Sequence, residues 1–166
     1  MKAGIDCYLS QGTASALTVT GHRINIVAPL KQFKLGTWTI LPFDTQHDVA
    51  ESLGFLMVSG ENKVLLATDT YYIKYRFNGL THIMVECNHS YKILEEKVAN
   101  GLLDEGQKDR LIQSHFSLEN VKEFLKANDL SKVEEIWLLH LSDGNSDAEL
   151  FKREIQELTG KMVFVA

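Results

Sequence analysis

Three side chains of metal-binding type stand at the ends of apolar, strand-like runs in this sequence. His47 follows one such run in FDTQHD, Asp69 closes KVLLATD, and His140 follows EIWLL directly. Imidazole is the commonest protein ligand for zinc and serves other first-row metals. A carboxylate at a strand terminus can bridge two metal ions. Each residue also has a plainer reading: a histidine in a polar turn is often a surface residue, and an aspartate after a strand often caps the turn. His140 is the most telling, because it continues Ile136-Trp137-Leu138-Leu139 without an intervening turn. Ser142-Asp143-Gly144-Asn145 then lead into a helix whose first N–H groups favour anions.

Further candidates accompany these three. Asp48 is the neighbour of His47, His89 follows Asn88 at the end of LTHIMVECN, and His115 lies in SHFSLEN just before a helix. A histidine beside two serines at a helix entry can hold a phosphate or protonate a leaving group. It can equally be a polar residue at the start of the helix. His22 and His82 lack comparable company and read as structural. No single residue is specific; the ordered series is more so.

The elements that would position these residues follow from periodicity. Strands are expected at 4–10, 24–29, 53–59, 63–69, 80–88, 133–142 and 162–166, and a hairpin-like pair over 33–43. Gly60-Glu61-Asn62 forms the turn between two of them. The run 80–88 is apolar enough to be buried on both faces. Residues 12–17 read as a short helix or turn, and helices are expected over 89–99 and 118–127 from their apolar spacing. Ser146 and Glu149 form a capping box for a last helix that Gly160 ends. Strands followed by mixed strands and helices indicate an α/β fold with helices packed outside sheet layers.

The 166 residues fit one domain able to bury a core, with 45% hydrophobic and 23% charged residues. No apolar run reaches the ~18 residues of a membrane span, and the first residues lack the apolar core of a signal peptide. Cys7 and Cys87 are too few for a disulfide framework and read as buried thiols. Together these features indicate a cytoplasmic protein with no membrane partner. A net charge of −5 argues against a broad nucleic-acid surface but not against a small phosphate-ester site. Bound divalent metals would reverse the charge locally.

The ordered series resembles the metallo-β-lactamase fold superfamily, and within it the small phosphodiesterase- or exonuclease-like hydrolases of bacteria and phages. The likeness covers nearly the whole chain. It rests on His47-Asp48 with Leu53-Gly54-Phe55, Ala67-Thr68-Asp69-Thr70, Glu86-Cys87-Asn88-His89, Ser114-His115-Phe116-Ser117, and His140-Leu141-Ser142 with Asn145. The resemblance implies an αββα sandwich over residues 1–166 as a single domain, with zinc or manganese as cofactor. The implied activity is metal-assisted hydrolysis of a phosphodiester or nucleic acid. By the same likeness His47 ligates a first metal, Asp69 bridges two, and His140 ligates the second. Asp48, His89 and His115 line the site, and His115 contacts the scissile phosphate or assists the leaving group.

The family's His-x-His-x-Asp-His motif does not occur in this sequence. MKAGIDCYLS resembles the segment that follows it, so the expectation is a fold incomplete at its N-terminus, with Met1 an internal start or the gene truncated. Half of the family's ligands to each metal remain. Catalytic zinc sites use about three protein ligands plus water, so weak or no metal binding and weak or no hydrolysis are expected of this chain. Uncovered strand edges invite pairing, so a homo-oligomer is expected through the exposed edge. The alternatives are a non-catalytic remnant or interaction protein keeping the second half of the fold, and a plain α/β binding domain whose histidines are incidental.

Overall fold

A seven-stranded sheet in the order β3-β4-β5-β6-β7-β8-β9 organises the chain. The structure is a computed structural model and describes residues 4–166; Met1, on which the expectation of an internal start rests, lies outside the described residues. β3 (Phe33–Leu35), β4 (Trp38–Asp44), β5 (Leu53–Ser59) and β6 (Asn62–Ala67) run antiparallel to one another. β7 (His82–Glu86), β8 (Glu135–Leu139) and β9 (Met162–Val165) continue parallel from β6. Parallel neighbours need crossovers: the segment 68–81, which has no helix, joins β6 to β7, and helices supply the other two. α2 (Tyr91–Ala99), α3 (Glu105–Ser114) and α4 (Leu118–Lys126) join β7 to β8, and α5 (Ala148–Thr159) joins β8 to β9. β1 (Cys7–Leu9) and β2 (Ile24–Ile26) form a separate two-stranded parallel sheet around α1 (Gln11–Ala16).

Alternation along the strands gives the large sheet two unlike faces. One carries Leu65, Ile83, Ile136 and Val163 in register, each at most 2% exposed. These residues form one core with Leu118, Val121 and Leu125 of α4 and Phe151 and Ile155 of α5. The other face carries Phe55, Leu66, Met84, Trp137 and Phe164 in one cross-strand row, all only half-buried. Trp137 stacks on Phe164 at 4.6 Å between ring centroids. The expectation that 80–88 is buried on both faces is corrected at two positions: His82 and Met84 lie on the half-open side and are only half-buried, while the rest of the run is buried.

Gly54 is required by a close approach. It pairs with Phe43, and a Cβ at this position would run into the Phe43 ring. That ring is 1% exposed and packs against Tyr75 and Phe77 at 5.6 and 5.3 Å.

Several local expectations change. Asp147, not Ser146, caps α5: its Oδ1 accepts the Leu150 N–H at 3.0 Å, while the Ser146 hydroxyl donates to the Ser142 carbonyl at 2.7 Å. Gly160 ends α5 with φ 65, as expected. Helix α3 was not anticipated. Its sequence EGQKDRLIQS is polar on most faces and buries only Ser114, so it lacks the apolar stripe that marks α4. Cys87 is buried, which raises its thiol pKa, but Cys7 is only partly covered. No described helix is long and apolar enough to cross a membrane.

Candidate metal centre

Ligands of open α/β sheets gather at the carboxyl ends of parallel strands, and here that edge carries the chemistry. Asp69 follows β6, Glu86 ends β7 and His140 follows β8. Asp69 and His140 both have left-handed backbones, with φ 51 and 54. Non-glycine residues adopt this conformation rarely, and it costs energy that the surroundings must hold in place. His115 comes from a different direction, as the C-cap of α3. Ligand atoms of Asp69, His115 and His140 lie within 4.8 Å of one another.

Glu86 stands behind this group. It is 0% exposed. Its Oε1 accepts from His115 Nδ1 at 2.5 Å and lies 3.0 Å from His140 Nδ1, and its Oε2 accepts the Thr70 N–H at 3.0 Å. One carboxylate oxygen thus takes the Nδ1 side of two imidazoles, which leaves an Nε2 lone pair on each neutral ring for a cation. The hydrogen bond to Glu86 raises the His115 pKa, the charges of Glu86, Asp69 and Asp48 add to it, and burial opposes it. Asp69 lies 3.5 Å from His140 Nδ1.

The His47 loop between β4 and β5 is drawn onto the same cluster. The Gln46 N–H donates to Thr70 Oγ1 at 3.0 Å, and the Tyr71 N–H donates to the Gln46 carbonyl at 3.0 Å. His47 Nδ1 donates to the Ser114 carbonyl at 2.8 Å, and its Nε2 lies 3.4 Å from Asp48. The His47, His115 and His140 rings follow one another at 5.3 and 5.2 Å.

Asn88 clasps the two remaining loops. Its N–H donates to the Phe116 carbonyl, its Nδ2 donates to the His140 carbonyl at 2.9 Å, and its own carbonyl accepts the Ser142 N–H. His89 beside it is 0% exposed, and neither ring nitrogen has a hydrogen-bond partner among the described residues. Burial, with the positive charge of His115, lowers its pKa to about 4, so the ring is neutral at pH 7. The structure thus brings together His47, Asp48, Asp69, His115 and His140. It buries His89, which lines neither of the two cavities beside them.

Two residues of the site were not picked out from sequence. Glu86 appeared only as part of a motif, although a lone carboxylate in LTHIMVECN, an otherwise apolar strand, is itself a signal that buried charge is being used. Arg110, on the unanticipated α3, lines two cavities beside His47 and Asp48.

No family model matches the chain, and no curated protein sequence matches it. Solved structures do. The metallo-β-lactamase fold protein YhfI from Bacillus subtilis is similar at a TM-score of 0.68 and 15% identity, over 96% of this chain and 61% of that one. Zn²⁺-bound PqqB from Methylobacterium extorquens gives 0.66 and 10%, over 96% and 61%. Unliganded yeast PDE1 gives 0.57 and 13%, over 86% and 48%. The chain therefore spans about three fifths or less of the length of these solved proteins. At these identities the likeness shows the fold, and the fold is that of the metallo-β-lactamases.

Proposed function

We propose that this chain of metallo-β-lactamase fold is a metal-dependent hydrolase of phosphodiesters, nucleic acid included. The convergence of Asp69, His115 and His140 at the strand ends, with Glu86 behind two of them, carries the reading. Counting ligands in the sequence left each metal with half its set. His115 changes that count, because three protein donors with an open position are what catalytic zinc sites use. The donor set fits zinc or manganese. Two solved proteins of the same fold support it: PqqB is Zn²⁺-bound, and the name of yeast PDE1 denotes a phosphodiesterase.

A cation held there would supply Lewis-acid polarisation of a phosphoryl oxygen. The rest falls to side chains. Asp69, His115 and His140 would be the ligands, and Glu86 would fix two imidazoles in the tautomer that can bind. With protons on both ring nitrogens, His47 would pass the Nε2 proton to the leaving oxygen as the water's oxygen bonds to phosphorus and the ester P–O bond breaks, and the ring would regain a proton from that water. In this reading His115 serves as ligand and His47 as proton carrier, the reverse of the roles that the family likeness implied.

Dialysis against zinc or manganese followed by metal analysis is expected to give one tightly held cation per chain. The loaded protein should hydrolyse bis(4-nitrophenyl) phosphate. His140→Ala should lose both the cation and the activity. A wild-type chain that retains no cation, or two, counts against the reading.

One observation favours a second role. The half-open apolar face around Trp137 and Phe164 is of the kind that marks a protein interface. A second copy of this chain seated on that face would make a homodimer, and light scattering should then return twice the chain mass. A monomer at micromolar concentration would remove this role and leave the hydrolase reading standing.

A further inference from the structure

We infer that Arg110 recognises the phosphodiester anion and that the chamber beside it seats the organic group of the ester; this rests on the hydrolase reading and names the part of the substrate each wall receives. Two cavities of about 530 and 360 Å³ lie beside the candidate centre and share His47, Asp48, Arg110 and Ser114; His115 of the centre lines the larger. Arg110 is the sole lysine or arginine among the described residues that line either of them. The carboxylates that line the cavities, Asp48 and Asp109, would repel an incoming anion, so an anionic substrate needs a cation on the cavity side.

Arg110 meets that need without being locked in place. Its guanidinium lies 3.8 Å from Asp48, longer than an ordinary hydrogen bond, and its side chain is 81% exposed. The loose pair can open when a phosphate oxygen replaces the carboxylate, and a guanidinium fork suits a phosphodiester's two non-bridging oxygens.

The larger cavity has a different far wall. Val49, Leu103 and Leu111 line it, with the amide of Gln107 among them. An apolar wall with one hydrogen-bonding amide receives a flat, weakly polar group, such as an aryl ring or a nucleobase, and not a second phosphate. The same geometry explains the composition of α3. Gln107, Arg110, Leu111 and Ser114 recur at helical spacing and line the cavity, so the inner side of this helix faces the site and little of it faces the core. A helix used this way has no reason to be apolar.

The test compares wild type, Arg110→Met, Arg110→Lys and Leu111→Ser, each loaded with the cation and checked for equal metal content. The substrates are bis(4-nitrophenyl) phosphate and methyl 4-nitrophenyl phosphate. Arg110→Met should raise KM for both about tenfold or more and raise it further than it lowers kcat, with partial rescue by lysine. Leu111→Ser should weaken the preference for the bis-aryl ester and leave the methyl ester less affected. Calorimetric binding of diphenyl phosphate is measured in the same preparations, so that absence of turnover does not stop the test. If wild type turns over neither ester, the hydrolase reading fails. Arg110 is still upheld when wild type binds diphenyl phosphate about tenfold more tightly than Arg110→Met. Equal binding by the two, or none by wild type, overturns the assignment.

Discussion

Glu86→Gln is expected to weaken divalent-cation binding by about 10- to 100-fold, through a change of one buried oxygen to nitrogen behind the two histidines. The wild-type carboxylate accepts on both oxygens: from the Thr70 N–H on Oε2, and on the Nδ1 side of His115 and His140 on Oε1. An amide has one acceptor and one NH₂. With the NH₂ toward the histidines, both rings must present Nδ1 as acceptor and move their proton to Nε2, which removes the lone pair a cation needs. With the NH₂ toward Thr70, a buried N–H loses its partner, which costs about 1–3 kcal/mol. Neither orientation reproduces the wild type. Titration against a chromophoric zinc chelator reads the affinity, and an unchanged value would remove Glu86 from the site.

The same variant changes the pH response of the metal-free protein. The His115 pKa is raised in the folded chain, chiefly by the hydrogen bond to Glu86. A raised histidine pKa contributes stability that is fully present below the unfolded value of about 6.5 and is lost as pH rises through the folded value. Glu86→Gln should flatten that decline and bring the His115 titration, followed by NMR, back toward the ordinary range.

Gly54→Ala is expected to cost about 3 kcal/mol, the upper part of the range for overpacking a filled core. The added methyl meets the Phe43 ring, and that ring is fixed on its other sides by Tyr75 and Phe77. The neighbour is a rigid aromatic and not the end of a flexible chain, so the strand pairing of β4 and β5 must give instead. Phe43→Leu combined with Gly54→Ala should recover part of the loss, because the smaller side chain vacates the space the methyl enters. Urea denaturation of the single and double variants measures it. Independent, additive costs would show that the two positions do not compete for one volume.

The fold was legible in the sequence where periodicity and burial agree. The strands at 53–59 and 63–69 and the helices over 118–127 and after 146 all carry apolar residues on the face that the structure buries. Legibility failed where a segment works for the site. Helix α3 is polar because its inner side lines cavities, and β7 reads as doubly buried although Met84 faces the half-open side. The site was legible at strand ends, where Asp69 and His140 stand out after apolar runs. His115 could be flagged but not placed, because its approach to Asp69 depends on where α3, which it ends, delivers it in space. The capping of α5 by Asp147 was missed for a smaller reason: Ser146 and Asp147 are adjacent and both cap well, so only geometry separates them.

The left-handed backbones of Asp69 and His140 set a conflict for anyone who would improve this protein. Glycine at either position would relieve on the order of 1 kcal/mol of backbone energy, a gain that any selection for heat resistance alone would reward. On the proposed hydrolase reading, the same exchange deletes a metal ligand. Variants ranked by melting temperature would therefore drift toward a more durable but chemically silent chain, and a stabilisation campaign must hold these two positions fixed and search elsewhere.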